Sequence, residues 1–137
     1  MSITMHFARS GFFVVVFVLL AGCPWQSGEP RLTGNWVVDI DRTISQAKQA
    51  GMPAAAEPRI REVFTGGLLE VTRDKLVMRV EGYDGVKSAS YKVVQSSGGC
   101  DDLVLNGSPQ KHSYCVSDDE LVVRDPSTKI AVVYRRE

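Results

Sequence analysis

The sequence predicts a mainly β fold, an antiparallel meander of eight strands with a short helical insert between strands 1 and 2. Seven short segments alternate apolar and polar residues with a period of two, at spacings of about 8–12 residues. Glycine, asparagine, aspartate and proline separate these segments, as expected for tight turns. No helical pattern lies between the later segments, so parallel crossovers are not expected. With 137 residues, the chain suits one domain, and eight strands can close into a small barrel.

The first strand is predicted at about 32–40, and the helical insert follows at about 43–65. Thr43 and Gln46 have the spacing of a capping box, which predicts a helix that begins at Thr43. A second short helix is predicted to carry Pro58 in its first turn.

The remaining seven strands are predicted from their apolar positions. These positions are Leu69 and Val71; Leu76, Met78 and Val80; Ala89, Tyr91 and Val93; Leu103 and Leu105; His112, Tyr114 and Val116; Leu121 and Val123; and Ile130, Val132 and Tyr134. Turns are predicted at 73–74, 83–85, 97–99, 106–109, 118–119 and 125–128.

The first 22 residues have the pattern of an export signal. Arg9 is their one charged side chain apart from histidine, and the apolar run at 11–20 comes before small residues. A membrane-spanning helix needs about 20 apolar residues, so this run is too short for one. A membrane anchor or a buried core helix is the alternative interpretation. We expect residues 1–22 to be a signal peptide, 23–31 a tether and 32–137 the barrel domain.

Leu20-Ala21-Gly22-Cys23 resembles the lipobox of bacterial lipoproteins. The resemblance implies that Cys23 becomes the N-terminus and carries a diacylglycerol thioether and fatty acyl chains such as palmitate. Two or three chains anchor a protein firmly, whereas one does not. Residue Pro24 rather than aspartate follows Cys23, which in this family implies the outer membrane. The expected location is therefore the bacterial cell envelope, facing the periplasm.

The other two cysteines, Cys100 and Cys115, are predicted to form a disulfide, because exported chains meet an oxidising compartment. A Cys-x-x-Cys redox pair is missing, and a zinc site would lack further Cys or His ligands.

Gly34-x-Trp36 in the first strand resembles the signature of lipocalins and related calycin barrels. In that superfamily the tryptophan plugs one end of the barrel, and a basic residue late in the last strand packs on it. The resemblance implies that Arg135 or Arg136 stacks on Trp36.

Catalytic patterns are weak, so the protein is predicted not to be an enzyme. After the signal, His112 is the single histidine, and Ser90 or Ser113 would have to serve as its nucleophile without a Gly-x-Ser-x-Gly elbow. A core histidine is the favoured interpretation of His112. We expect no metal and no cofactor, and the formal net charge of zero argues against nucleic-acid binding.

Two functions remain open. The first is a non-catalytic binding module for a small apolar ligand, with Trp36, Met78, Tyr91 and Tyr114 as candidate lining residues; a filled core without a cavity is the alternative for this interior. The second is a protein inhibitor, immunity protein or assembly factor that binds an envelope enzyme, similar in general plan to bacterial lysozyme inhibitors. Its expected contacts lie in exposed acidic turns. The candidates are Asp101, Asp102, Asp118 and Asp119.

Overall fold

The computed structural model describes residues 31–80, 86–126 and 130–137, which form a closed antiparallel barrel. Its eight strands are β1 (Gly34–Val38), β2 (Leu68–Val71), β3 (Lys75–Arg79), β4 (Val86–Ser97), β5 (Cys100–Leu105), β6 (Lys111–Ser117), β7 (Glu120–Arg124) and β8 (Ala131–Arg136).

Each strand pairs with the next in sequence, and β8 closes the barrel on β1. The closing register places Trp36 opposite Arg136 and Val38 opposite Tyr134. The predicted fold class is therefore confirmed. The predicted turns at 73–74, 97–99, 106–109 and 118–119 fall between strands. The turn at 83–85 lies outside the described residues, and the one at 125–128 lies partly outside them.

The insert between β1 and β2 contains α1 (Ile40–Gln49), a 3-10 turn (Ala54–Ala56) and α2 (Glu57–Phe64), with proline in the first turn of α2 as predicted. The predicted start of the first helix is wrong. Asp39 caps α1 by accepting a hydrogen bond from the Arg42 amide at 3.1 Å, as carboxylate side chains commonly do. Thr43 instead lies within the helix and is fully buried.

Thr43 joins α1 to the edge of β8 beyond the last residue pair with β1. Its hydroxyl accepts a hydrogen bond from the Val133 amide at 3.0 Å and donates one to the Asp39 carbonyl at 2.8 Å. The Asp39 amide in turn donates to the Val133 carbonyl at 2.8 Å. Because a buried backbone group needs a partner, α1 completes the edge that β1 leaves open.

The two ends of the barrel differ. One end carries the turns at 72–74, 97–99 and 118–119 together with Leu32 and Trp36, both fully buried; we call it the tryptophan end. At the other end β1 runs into the helical insert and β5 turns into β6 at 106–110; we call it the open end. One apolar cluster that includes Leu69, Leu103 and Leu121 lies in the interior between them.

Candidate functional site

A row of directly opposite residues on four adjacent strands identifies the inner face of the barrel. Trp36 on β1 lies opposite Leu69 on β2, Leu69 lies opposite Met78 on β3, and Met78 lies opposite Lys87 on β4. Directly opposite residues of an antiparallel pair project to the same face of the sheet. Because Trp36 and Leu69 are buried, Lys87 is also at an inner-face position, near the start of β4.

A cavity of about 430 Å³ lies on this inner face and opens to solvent. Its buried or half-buried lining is largely apolar, and the exposed members form a polar rim. The lining residues are Leu69, Leu76, Met78, Ala89, Leu105 and Tyr114, with Lys87, Ser88 and Asn106 at the rim. Small-molecule sites in proteins typically measure about 300–1,000 Å³ and combine an apolar lining with a few polar groups.

The rim follows from how β4 is shared between its neighbours. Its first part pairs with β3 as far as Ser90, whereas pairing with β5 begins at Tyr91. Asn106, which has a positive φ of 49°, contacts β4 at the point where pairing with β3 ends and pairing with β5 begins. Its amide donates to the Ser90 carbonyl at 2.8 Å, and its side-chain oxygen accepts from the Ser90 amide at 3.0 Å. Asparagine tolerates this left-handed conformation better than most residues do, so it holds the edge of the opening.

Tyr114 places a hydroxyl-bearing ring in the lining. Burial, followed by the electrostatic influence of Tyr134, Asp125 and Tyr91, raises the pKa of Tyr114 well above the ordinary value of 10.0. Burial likewise raises the pKa of Tyr134 to about 12. Both phenols therefore stay protonated at neutral pH, and the Tyr114 hydroxyl is a hydrogen-bond donor rather than a charge.

The tryptophan end is closed by a stack of side chains. The Arg136 guanidinium lies over the Trp36 ring with its central carbon 4.2 Å from the ring centroid, and the Trp36 Nε1 donates to the Leu32 carbonyl at 3.0 Å. Arg136 also donates to the carbonyls of Thr33 at 3.2 Å and Arg31 at 2.9 Å. Of the two candidate arginines, Arg136 is thus the one that stacks on Trp36.

Gly34 makes room for this arrangement. Its φ is +141°, and a Cβ atom there would stand 2.8 Å from an Arg136 guanidinium nitrogen. Both the backbone conformation and the close approach favour glycine.

An ion pair between a half-exposed arginine and a buried carboxylate lies near the same end. The Asp101 side chain is 1% exposed and pairs with Arg31 at 2.7 Å, and the Ser96 hydroxyl donates to the same carboxylate oxygen at 2.7 Å. The second oxygen of Asp101 and the Nε of Arg31 are buried with no hydrogen-bond partner among the residues described. The carboxylate therefore links Arg31, which precedes β1, to β5 and to Ser96 on β4.

The structure brings two of the four candidate ligand residues together. Met78 and Tyr114 line the cavity. Trp36 lies instead at the tryptophan end, and the Tyr91 hydroxyl donates a hydrogen bond to the Thr72 carbonyl at 2.7 Å. Sequence reasoning missed Lys87. The alternation of Ala89 and Tyr91, extended back by one step, would have placed Lys87 on the inner face.

The acidic candidates separate into two groups. The expectation that Asp101 lies in an exposed turn is wrong, because Asp101 belongs to β5 and points inward; Asp102 is half-buried in the same strand. The alternation of Leu105, Leu103 and Asp101 would have indicated this face. Asp118 and Asp119 do lie in an exposed turn, between β6 and β7.

Cys100 and Cys115 form the predicted disulfide between opposite residues of β5 and β6. His112 is half-buried, and its Nδ1 lies 3.8 Å from an Asp125 carboxylate oxygen. Within the described ranges no three His, Cys, Asp or Glu side chains are placed to hold a metal ion together.

The fold and cavity define a class, a small eight-stranded antiparallel barrel with an opening at one end and a packed tryptophan at the other, consistent with a lipocalin-like barrel. Compared with known proteins, the chain matches no family model, and no curated protein is significantly similar to it. Among residues 31–80, 86–126 and 130–137, no helix has the length and hydropathy needed to cross a bilayer.

Proposed function

We propose that this chain is a non-catalytic binding module of the bacterial cell envelope that holds one small apolar molecule in the barrel. The observation that carries the proposal is the cavity of about 430 Å³. Leu69, Leu76 and Leu105 would contact the apolar body of the ligand, and apolar contact supplies most of the free energy of such binding. Tyr114 would donate a hydrogen bond to it.

Attachment to the membrane is the second part of the proposal. Leu20-Ala21-Gly22-Cys23 supports it by its likeness to a lipobox directly after an export signal. Residues 1–22 would be removed, and lipid on Cys23 would hold the tether 23–31 at the outer membrane. These residues lie outside the described part of the chain, except Arg31.

A lipocalin-like relationship is also proposed. The Arg136 guanidinium over Trp36, together with Gly34 two residues before that tryptophan, supports it. A helical insert between β1 and β2 supports it as well, since the fatty-acid-binding branch of the superfamily has a similar insert.

A cavity-filling variant tests ligand binding. Residues 24–137, exported without lipid, would be titrated with an apolar fluorophore that brightens on burial. Ala89→Phe places a ring in the lining, so we expect the Kd to rise by about tenfold or more while the melting temperature stays close to that of the parent. The control is Lys92→Phe at an exposed position of the same strand, which should leave the Kd unchanged. Equal binding by parent and Ala89→Phe would contradict the proposal.

A protein partner is the second candidate function, and the turn at Asp118 and Asp119 favours it, because the Asp119 side chain is 88% exposed. Asp118 has a positive φ of 51°, so Asn is the substitution that keeps the backbone. Asp118→Asn with Asp119→Asn should abolish recovery of a single hydrolase from periplasmic extract if this turn is the contact. Recovery of the same hydrolase by the double variant would exclude it.

A further inference from the structure

The chain enters the barrel at a fixed point. Four side-chain hydrogen bonds hold residues 31–33: Arg31 to Asp101, Trp36 to the Leu32 carbonyl, and Arg136 to the carbonyls of Arg31 and Thr33. Leu32 is fully buried among the core residues. Hydrogen bonds that involve a charged group are the stronger ones in proteins. These contacts therefore hold residues 31–33 firmly against the barrel.

This entry point belongs to the tryptophan end. Gly34, the first residue of β1, pairs with Val71 at the end of β2, and the turn at 72–74 follows directly. The Arg136 amide donates to the Asp119 carbonyl at 2.8 Å, which places the turn at 118–119 beside the same entry point. The rim of the cavity, with Lys87 and Asn106, belongs to the opposite end.

We infer that the barrel stands on the membrane with its tryptophan end toward the lipid and its cavity mouth toward the aqueous compartment. The inference rests on the proposed lipid attachment at Cys23. It adds an orientation, and therefore the side from which the ligand enters.

The short tether favours one of the two orientations. Only residues 24–30 separate Cys23 from Arg31. A flexible segment of this length has a root-mean-square span of roughly 16 Å, and even fully extended it reaches at most about 28 Å. To turn the mouth toward the lipid, the tether would have to span the roughly 15–20 Å between the two ends of the barrel and stay against its outer wall, which leaves it few of its possible conformations. The loss of chain entropy opposes that arrangement.

Two functional consequences follow. The mouth would receive its ligand from water or from a soluble carrier, not directly from the leaflet that holds the anchor. The acidic turn at Asp118 and Asp119 would face the membrane, which is a poor position for contact with a periplasmic enzyme. The orientation therefore favours the ligand-binding function over the protein-binding one.

Energy transfer to labelled lipid tests the orientation on the full lipidated chain. Single cysteines would replace exposed residues at the two ends: Asp74→Cys in the turn after β2 and Gln110→Cys in the turn after β5. The disulfide-bonded Cys100 and Cys115 and the thioether at Cys23 would not react with a thiol-directed dye. Vesicles of phosphatidylethanolamine and phosphatidylglycerol would carry an acceptor dye on a small fraction of headgroups. We expect at least about twofold more efficient transfer from position 74, because tilted strands of this length separate the two ends by roughly 15–20 Å.

Equal transfer from both positions, or more from position 110, would overturn the orientation alone. Intact mass measurement checks the lipid separately, and an unmodified Cys23 would overturn the anchoring proposal and the orientation with it. As a control, about twelve Gly and Ser residues inserted after Ser27 should reduce the difference between the labels, since a longer tether frees the barrel to rotate. An unchanged difference would show that the tether does not set the orientation.

Discussion

Arg136 links β8 to β1 and to the segment that precedes β1. It stacks on Trp36 and donates to two carbonyls of the segment that precedes β1. A lysine would supply the charge but not the flat guanidinium with its several donors.

We expect Arg136→Ala to lower the free energy of unfolding by about 2–3 kcal/mol, because the cation–π contact and two charge-assisted hydrogen bonds are lost together. Urea unfolding measures this change. The matched control is Arg135→Ala, the exposed neighbour in β8, which should change stability by less than about 0.5 kcal/mol. A similar loss in both variants would refute a special role for the stack.

The Arg31–Asp101 pair is expected to couple the entry segment to β5. In a double-mutant cycle of Arg31→Met and Asp101→Asn, we expect a coupling of about 1–3 kcal/mol in urea unfolding, since the carboxylate is buried and directly bonded. Arg31 is 36% exposed, which places the value below that of a fully buried pair. Strictly additive effects would show that Asp101 is stabilised by Ser96 rather than by Arg31.

At the level of elements, α1 illustrates where a local pattern fails. Thr43 and Gln46 have capping-box spacing, yet the helix begins at Ile40 because Asp39 is also a good cap. The Thr43 hydroxyl has a different role, as a partner for the edge of β8. That contact joins residues 90 positions apart, so no local pattern reports it.

Thr43→Val keeps the shape of the side chain and removes its hydroxyl. We expect a loss of about 1–3 kcal/mol in the free energy of unfolding, because the buried Val133 amide loses its partner. Hydrogen exchange at Val133 should also become faster relative to the rest of β8. Ser45→Val on the exposed face of α1 is the control, because it introduces the same β-branched residue without a buried contact; a loss as large as that of Thr43→Val would point to helix propensity instead.

For the molecule as a whole, the sequence predicted strand number, barrel class, the insert and the disulfide, because alternation, turn residues and paired cysteines are local signals. The same alternation placed Tyr114 and Met78 on the inner face, where they line the cavity, and their contact with a ligand stays a prediction. Alternation does not predict whether the interior contains a cavity, because the cavity volume depends on how much space the inward side chains of several strands leave unfilled. Alternation with Leu103 and Leu105 indicates the inward face of Asp101, but no local pattern reports its ion pair with Arg31, which is distant in sequence.

The buried tyrosines make global stability depend on alkaline pH. In the unfolded chain each phenol titrates near its ordinary value of 10.0, whereas burial raises the pKa of Tyr134 to about 12 and that of Tyr114 also upward. Above pH 10 the unfolded state therefore loses protons that the folded state keeps. The contribution of the two phenols is complete below pH 10 and falls by about 1.4 kcal/mol per pH unit for each of them above it.

Urea unfolding between pH 9 and pH 11 should show this fall, and the part of the tyrosinate absorbance that is missing in the Tyr114→Phe, Tyr134→Phe double variant should rise only as the protein unfolds. The Tyr114→Phe, Tyr134→Phe double variant should flatten the part of the pH dependence that the two phenols cause. If the free energy of unfolding of that variant falls with pH as steeply as that of the parent, other groups cause the loss of stability at alkaline pH.

The closure of the barrel by β8 on β1 also affects how the chain folds. Arg136 bonds to Thr33 across 103 residues, so the ring cannot close until nearly the whole domain is available. The other seven strand pairings join consecutive strands, whereas a pairing as distant as this one forms slowly, because the entropy of closing a long loop is lost before the contacts are gained. If the chain is exported from its N-terminus, β1 would emerge first and keep an unpaired edge until β8 arrives. Unpaired strand edges promote aggregation, so a chaperone that shields the chain would be most needed in that interval.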